Sequence, residues 1–527
     1  MTDINLERSA QRARRLRLLA AAGALALLLA ALAAWLAGSA GRSRDEEPSG
    51  AAVPAVRAAD RLVLMFPASV TPPDLPLVQA EMNRYLLGKL DASVEIKPVD
   101  MSSWWDRTGL VYASGSQVDL MFTAGWMRFG DEVSRGRFLP LDELLQRAGA
   151  GISRVLDPEI LRASRIGGKL YGIPTNKEFA ASKGIVLRAD LVEKYGIRLD
   201  TVRTLADLGP VLETIKRGEP ALTPLQVRAD RSPLTFLLQY GLFDMLGDGP
   251  GVLERAGGSL RVVNLAATET YRDYARLMQE WKLKGYLNAD AVTSRDSEYE
   301  AVKAGAAFAF AESMKPGFEI QASRNTGMPM VAVELTKPYT TTADVTSAMF
   351  AIPRTSRHPE KAMRLLELLY TDRDLLNLLD WGIEGKHYVV RPDGRIAYPP
   401  GVDARSVRYN FNLPWMFGNQ LNSYLWDNED PQQWDNYRRF NEQAEPSKAL
   451  GFVFDPAPVS NEIAACSRVD EEFSPALITG ELDPDAVIPM YLERLKAAGA
   501  DKVIAEKQRQ LDAWLAAGGA SAGEGES

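Results

Sequence analysis

The sequence of 527 residues predicts an α/β fold, in which sheets of mainly parallel strands are covered by helices. From residue 61 onward, short apolar runs of strand length alternate with segments that have the periodicity of an amphipathic helix. Apolar residues make up 46% of the chain and charged residues 25%, which is ordinary for a folded protein. A chain of this length also has enough material for two or more globular lobes.

The first elements show this alternation. The apolar run Leu62–Phe66 is followed by Pro67, as expected for a short strand that is buried on both faces. Residues 78–90 are predicted to form a helix, because their apolar side chains recur at helical spacing. The next two strands are predicted at 94–99 and 118–122.

The middle of the chain continues the pattern. A strand is predicted at 184–187, with a helix at 189–195 that stops before Gly196. Thr204 is the predicted N-cap of a helix that runs to Lys216. The remaining predictions are a helix end that turns into a strand within 301–310, a strand at 349–353, and a helix that starts at Pro359 and runs through Tyr370.

The N-terminal segment 1–40 is an export signal or a membrane anchor rather than part of a fold. Four arginines between residues 12 and 17 precede 23 uncharged residues, which reach the roughly 20 needed to span a bilayer. Small residues at 38–40 also suit cleavage near Ala40, so a retained helix and a released protein both remain open. Residues 41–59 are predicted to be a tether, and residues 517–527 a disordered tail.

Charge and residue counts exclude several function classes. Residues 1–40 hold five basic and two acidic residues, which leaves 56 basic and 67 acidic residues, a net charge of −11, for the exported part. This charge argues against nucleic acid as a partner. With one cysteine and two histidines, the chain has no internal disulfide and no recognisable zinc site. No catalytic triad motif and no phosphate-binding loop occurs, and no cofactor is predicted.

Four phrases, at 118–126, 138–145, 168–178 and 186–197, occur in the order and spacing typical of one protein family. They resemble the extracellular solute-binding proteins of bacterial ABC importers, which include the maltose-binding proteins. The resemblance implies a two-lobed clamp of the periplasmic-binding-protein type that closes on a solute and delivers it to the transmembrane permease subunits. It also implies that the chain is not an enzyme.

The same resemblance implies how the chain is divided. One lobe is expected at 60–175 and 305–348, and the other at 176–304 and 349–395. The phrases at 412–421, 450–455, 461–465, 491–499 and 502–515 resemble a C-terminal module of unknown function in one subgroup of the family, which also shows the phrase at 381–385 shortly before the module. This module is expected at 396–516, packed on the lobes.

Many members of the family are lipoproteins whose signal ends in Leu-Ala-Gly-Cys. The corresponding phrase here is Leu36-Ala-Gly-Ser39. Serine has no thiol for a lipid thioether, so the chain is not expected to be a lipoprotein at Ser39. Its expected location is the extracytoplasmic face of the cell membrane, either anchored through residues 1–40 or released after cleavage.

Candidate ligand-binding residues follow predicted strands or stand where the resembling proteins cross between lobes. Aromatic faces suit stacking on pyranose rings, and amides and carboxylates suit the sugar hydroxyls. Each candidate also has a structural alternative, as a core residue, a solvated loop residue or a docking residue for the C-terminal module. The candidates are Thr123, Trp126, Asn176, Lys177, Glu178, Glu312, Trp381, Glu384, Trp415, Asn419 and Gln420.

Three functions remain open from the sequence. The first is capture of a small solute, with an oligosaccharide as the favoured cargo, for an ABC permease. The second is a membrane-tethered ligand sensor or adaptor, which the non-lipidated anchor favours. The third is an exported carbohydrate enzyme, which needs two carboxylates that face one glycosidic bond.

Overall fold

The computed structural model describes residues 60–256, 258–294 and 296–519 of the chain. These residues belong to one unit, Ala59–Ser527. The predicted signal or anchor, the tether, and the tail from residue 520 lie outside the described residues. A search of the described part for a helix with the length and apolar character of a membrane span finds none.

The first main sheet has five strands, four within residues 60–174 and one at 349–351. Its strands are, in spatial order, Ala92–Val99, Asp60–Pro67, Leu120–Thr123, Met349–Ala351 and Ile173–Pro174. The first three strands run parallel, as the sequence predicts. Met349–Ala351 is antiparallel to both of its neighbours, because the chain returns to this sheet from the opposite direction.

The second main sheet has four strands in the spatial order Met330–Glu334, Ser182–Arg188, Ala307–Met314 and Thr223–Gln226. Ser182–Arg188 is antiparallel to both neighbours, so this sheet is mixed rather than parallel. Gly184 allows the close strand pairing, since a Cβ at this position would lie 2.1 Å from the Val333 carbonyl oxygen.

Helices cover both sheets and form the C-terminal third. Most predicted elements are present within a few residues of their predicted ends, but the helix expected from Thr204 begins later, after a turn and with Pro210 in its first turn. The α-helices are Leu75–Leu90, Trp104–Ser114, Phe129–Ser134, Asp142–Ala148, Ala150–Val155, Pro158–Ala163, Ala189–Lys194, Gly209–Gly218, Glu269–Leu283, Glu298–Lys303, Phe318–Thr326, Thr342–Val345, Pro359–Thr371, Arg373–Trp381, Gln433–Gln443, Ser460–Ile478, Pro484–Ala497 and Ala500–Ala516.

Four short two-stranded ladders complete the secondary structure. They pair Arg165–Ile166 with Lys169–Leu170, Phe243–Asp244 with Leu253–Glu254, Tyr339–Thr340 with Glu445–Pro446, and Val389–Val390 with Ile396–Ala397. Only the Tyr339–Thr340 ladder is parallel. It joins the segment that returns toward the first sheet to the C-terminal third of the chain.

Each main sheet has its own hydrophobic core, which defines two lobes. The core of the first lobe is built from residues 60–179 and 345–450, and that of the second lobe from residues 182–334 and 460–500. The predicted lobes had their second segments exchanged. Strand Ala307–Met314 pairs with Ser182–Arg188, whereas Met349–Ala351 pairs with Leu120–Thr123. Strand pairing between distant segments, which local periodicity does not reveal, decides this assignment.

The C-terminal segment predicted as one module is divided between the two lobes. Its first part contributes Tyr409, Phe411, Met416, Phe417 and Leu450 to the core of the first lobe. Helices Ser460–Ile478 and Pro484–Ala497 contribute Cys466, Val469, Phe473, Leu477, Ile488, Tyr491 and Leu495 to the core of the second lobe. These two helices are therefore an integral layer of the second lobe, whereas Val503 and Leu511 of helix Ala500–Ala516 belong to a smaller apolar cluster with residues from 246–262 and 449–459.

Candidate functional site

A groove follows the boundary between the lobes and consists of three adjoining sections. The apolar section has a cavity volume of about 380 Å³, the hinge section about 360 Å³ and the aromatic section about 410 Å³. Lys183, Ser313 and Asp344 line both the apolar and the hinge section. Lys315 and Gln321 line both the hinge and the aromatic section. These shared residues make the sections neighbours along one groove.

The aromatic section is lined on one side by residues that follow helix Arg373–Trp381. Its opposite side is formed by helix Phe318–Thr326 of the second lobe. Six aromatic side chains contribute to the lining, and most of them are half-buried, so that parts of their rings remain open to a ligand. They are Trp381, Tyr398, Tyr424, Trp426, Trp434 and Tyr437.

Hydrogen bonds and ring contacts fix the indoles of this section. The Trp381 Nε1 donates to Ser423 Oγ at 2.9 Å, and the Trp434 Nε1 donates to the Ser423 carbonyl oxygen at 2.9 Å. Trp381 and Trp426 contact each other edge to face, with their ring centres 5.4 Å apart. The Tyr398 ring lies 4.3 Å from that of Trp426. Preorganised rings lose little conformational entropy when a sugar stacks on them.

Gln420 supplies a polar group to the same section. Its side chain is 6% exposed, and its Oε1 has no hydrogen-bond partner among the residues described. Its backbone N–H donates to the Asn176 carbonyl oxygen at 2.9 Å. This bond fixes its position against the first crossover segment, residues 176–181, through which the chain passes from the first lobe to the second. A buried acceptor without a partner is costly in a folded protein, so Gln420 is suited to accept a hydrogen bond from a ligand hydroxyl.

The hinge section carries charged side chains from both lobes. The Lys315 Nζ donates to Glu178 Oε1 at 2.9 Å, which joins the first crossover segment to the end of strand Ala307–Met314. Burial opposes ionisation of Glu178, but the charges of Lys177 and Lys315 prevail and lower the pKa of its carboxyl group. Glu178 Oε2 is buried without a hydrogen-bond partner in the described ranges. This oxygen is a second acceptor that a ligand hydroxyl can satisfy.

Glu312 lies in the hinge section and is already held by protein groups. Arg231 donates to both of its carboxylate oxygens, at 2.9 and 2.7 Å, and the Tyr299 hydroxyl donates at 3.2 Å. Lys183 is 8% exposed, and its Nζ donates to Ser313 Oγ at 2.8 Å. Burial lowers the pKa of Lys183, against the attraction of Asp344 and Glu312.

The apolar section lies at the other end of the groove. It is lined by Phe129 of the first lobe, by residues 243–248 of the second lobe, and by residues 452–454 of the C-terminal segment. Tyr240 also lines it and is 49% exposed. Gly125 allows the backbone to approach the Thr346 side chain closely, since a Cβ there would lie 2.6 Å from Thr346 Oγ1.

Trp126 lies at the rim of the groove rather than in its lining. It follows strand Leu120–Thr123 within the turn Gly125–Met127, and it is 58% exposed. Its Nε1 donates to the carbonyl oxygen of Ser347, a residue that lines the hinge section. The indole is therefore held next to the groove with much of its surface uncovered.

The predicted candidates differ in whether their side chains line the groove. Lys177, Glu178 and Glu312 line the hinge section, and Trp381 and Gln420 line the aromatic section. Besides Trp126 at the rim, five candidates are absent from the lining of the three sections. Thr123 is buried in its strand, Trp415 packs edge to face on Phe122, the Asn176 Nδ2 donates to Asn419 Oδ1 at 2.8 Å, and Glu384 is exposed beside a turn.

Sequence reasoning missed Lys183, Lys315 and most of the aromatic lining. One signal was available, because tryptophan and tyrosine occur five times between Trp415 and Tyr437. The lysines carried no such signal, since the pairing of strand Ser182–Arg188 with Ala307–Met314 within the second lobe brings them together. In the described ranges, no three His, Cys, Asp or Glu side chains converge as a metal ion requires.

Two family models match the chain. The model described as bacterial extracellular solute-binding protein matches residues 91–374, which is more than half of the chain. The model of a domain of unknown function matches residues 448–516, which include the whole of the last three helices.

The chain is also similar to individual proteins. A carbohydrate ABC transporter substrate-binding protein of Streptococcus pneumoniae serotype 4 is 27% identical over 463 residues, which cover 86% of this chain and 91% of the relative. The crystal structure of the N-glycan transport solute-binding protein of Streptococcus pneumoniae has a TM-score of 0.77 at 26% identity, and covers 87% of this chain and 99% of that chain.

Crystal structures of the same protein with Man1GlcNAc and Man5GlcNAc have TM-scores of 0.68 and 0.65, also at 26% identity. An extracellular solute-binding protein from Bifidobacterium longum subsp. infantis has a TM-score of 0.59 at 13% identity, with 86% of this chain and 98% of that chain covered. At that identity the similarity shows the two-lobed fold alone.

Proposed function

Because this chain belongs to the bacterial extracellular solute-binding proteins, we propose that it captures an oligosaccharide in the interlobe groove and delivers it to an ABC permease. The observation that supports this proposal most is the aromatic section, whose lining combines six aromatic side chains with Gln420, the Oε1 of which has no partner among the residues described. Sugar rings present apolar C–H faces and polar hydroxyl edges, so a ligand of this chemistry satisfies both kinds of group.

The similar Streptococcus pneumoniae protein is crystallised with Man1GlcNAc and Man5GlcNAc. Glycans of mannose and N-acetylglucosamine are therefore the first class of cargo to test. The groove has three adjoining sections, and the rings in the aromatic section would hold one end of such a glycan. The acceptors Glu178 Oε2 and Gln420 Oε1 lie in neighbouring sections and would bind hydroxyl groups of successive residues.

The proposed mechanism is closure of the lobes about the segments that cross between them. A ligand that contacts both lobes stabilises the closed state by its additional contacts there. The TM-score is 0.77 for the structure without a named glycan and 0.65 for the Man5GlcNAc complex of the same protein, a decrease that a change in lobe orientation between those two structures would produce.

The protein acts by binding and carries out no reaction in this proposal. Two carboxylates of the groove each form an ion pair with a cation of the protein. Glu312 pairs with Arg231, and Glu178 pairs with Lys315. ATP hydrolysis would take place in other subunits of the importer. Residues 1–40 would place the protein at the extracytoplasmic face of the membrane, without a lipid at Ser39.

The test is a thermal-shift titration of the purified protein with Man5GlcNAc, maltotriose and alginate oligosaccharides. A ligand that binds only the folded protein raises its melting temperature, and saturation at 100 times the Kd corresponds to roughly 2.7 kcal/mol. We expect a saturable shift with Man5GlcNAc. The absence of a shift with every oligosaccharide would contradict the proposed cargo class.

A further inference from the structure

Lys507 is a buried lysine whose amino group contacts a single loop of the second lobe. It lies in helix Ala500–Ala516, and its exposed fraction is 0%. Its Nζ donates to four carbonyl oxygens, those of Met245, Gly247, Gly249 and Gly251, at 3.3, 3.3, 3.0 and 2.9 Å. The Nζ also lies 5.3 Å from the centre of the Phe454 ring.

The backbone of residues 245–251 is shaped to direct these carbonyl groups inward. Four of its seven residues have positive φ angles, at Leu246 (54°), Gly247 (89°), Gly249 (76°) and Gly251 (106°). Glycine adopts such angles without strain, but leucine does so only where neighbouring interactions hold it. A row of inward-facing carbonyl groups is the arrangement by which proteins replace the hydration shell of a cation.

Burial opposes a charge on the Lys507 amino group, whereas its hydrogen-bond partners favour one. Burial lowers the pKa of Lys507 to about 7, and the nearby carboxylates of Asp248 and Asp244 act in the opposite direction. Every hydrogen-bonding neighbour of the Nζ that the structure describes is an acceptor. An ammonium group donates three hydrogens to such a set, whereas the lone pair of a neutral amine is repelled by it.

The loop is part of the groove. Met245, Leu246, Gly247 and Asp248 line the apolar section, and so does Phe454 on the other side of the Lys507 side chain. Lys507 thus lies directly behind the wall of this section. Its side chain connects this wall to helix Ala500–Ala516, which does not itself line the apolar section.

We propose that the Lys507 ammonium is a built-in cation that gathers the carbonyl groups of residues 245–251 and thereby holds one wall of the groove in place. In this role Lys507 is a positioning residue, since it lies behind the groove lining and acts through the loop. The inference goes beyond the proposed function, because the order of the loop is measurable without any ligand.

The test measures hydrogen exchange of the segment 242–255 in the full protein. Within it, the Val252 amide donates to the Val263 carbonyl and the Arg255 amide to the Leu242 carbonyl, both at 3.0 Å. We expect Lys507→Met, which keeps an unbranched side chain one atom shorter and removes the charged amino group, to raise exchange of these amides at least about tenfold. Lys502→Met is the matched control, since Lys502 lies on the same helix but is exposed and pairs with Glu462. It should leave the segment unchanged.

Chemical rescue separates the charge from the packing of the side chain. Lys507→Ala removes a fragment equal to n-propylammonium, so n-propylammonium chloride should restore slow exchange, whereas n-propanol and sodium chloride should not. If Lys507→Ala does not fold alone, the same additives are compared during refolding. Unchanged exchange in folded Lys507→Met, or equal recovery with n-propylammonium and n-propanol, would overturn the proposal.

Discussion

The indole Nε1 of Trp126 donates to the carbonyl oxygen of Ser347 at 2.9 Å, across 221 positions of sequence. This bond holds an indole that is 58% exposed beside the hinge section of the groove. We therefore propose that Trp126 covers a ligand when the lobes close.

We expect Trp126→Ala to weaken binding of Man5GlcNAc by about 1–3 kcal/mol with little loss of fold stability, because no sealed cavity is left. Titration calorimetry and thermal unfolding measure the two effects separately. Trp105→Ala is the matched control, since Trp105 is also an exposed tryptophan of the first lobe and is 43% exposed. A loss of stability with unchanged affinity would assign Trp126 to the structure instead.

Gln420→Met should lower affinity and leave stability equal or higher. The variant removes an acceptor that has no partner among the described side chains, so the folded protein loses no hydrogen bond at Oε1. We expect a decrease in binding of about 1–3 kcal/mol for a lost ligand hydrogen bond in a buried site. The contrast is Asn419→Ala, which removes the bond to Asn176 and should mainly lower the melting temperature. Unaltered affinity in Gln420→Met would exclude Gln420 from the binding site.

Asp380 should make stability depend on pH. Burial raises the pKa of its carboxyl group to about 7, although the Ser423 hydroxyl donates to Oδ2 at 2.7 Å and partly opposes this. The unfolded chain loses this proton near pH 4 and the folded protein near pH 7. The contribution of Asp380 to stability is therefore greatest at low pH and falls as the pH rises between these values.

Asp380→Asn has no titrating group at this position. Its free energy of unfolding should exceed that of the wild type by about 2–4 kcal/mol above pH 7, with a difference close to zero near pH 4. Urea unfolding at several pH values measures the difference, and Glu384→Gln, at an exposed position, is the control. A constant difference across this range would show that Asp380 does not titrate there.

Residues 1–40 lie outside the described residues, and their association with the membrane is a prediction that can be tested. Ser39 stands where lipoproteins of the family have cysteine, so the wild type should fractionate with membranes through a retained helix and incorporate no labelled fatty acid. Ser39→Cys restores the phrase Leu-Ala-Gly-Cys and should incorporate label in a bacterial host that has the lipidation machinery. Recovery of a soluble protein that begins near Gly41 would contradict the retained helix, and would leave the binding function untouched.

Local patterns predicted the individual elements well, because burial and turn residues act over short stretches. The strand at Asp60–Pro67 follows from an apolar run, and the helix at Pro359–Thr371 from its initial proline and its periodicity. The partner of each strand depends instead on contacts between distant segments. Sequence reasoning therefore exchanged Ala307–Met314 and Met349–Ala351 between the lobes.

The candidate site shows the same contrast between what local patterns predict and what depends on distant contacts. Gln420 and Trp381 stand out in the sequence as polar or aromatic residues in unusual phrases, and they line the groove. Trp415 has the same character but packs on Phe122, because residue type alone does not reveal which face of a loop is covered. Lys507 gave no signal, since its role depends on carbonyl groups more than 250 positions away.

Lobe closure is the central claim of this account, and small-angle X-ray scattering of the purified protein tests it most directly. The radius of gyration is compared without ligand, with saturating Man5GlcNAc, and with sucrose as a control for added sugar. We expect Man5GlcNAc alone to decrease the radius, since closure brings the two lobes together around the groove. An unchanged radius at a concentration where calorimetry shows full binding would contradict the clamp mechanism.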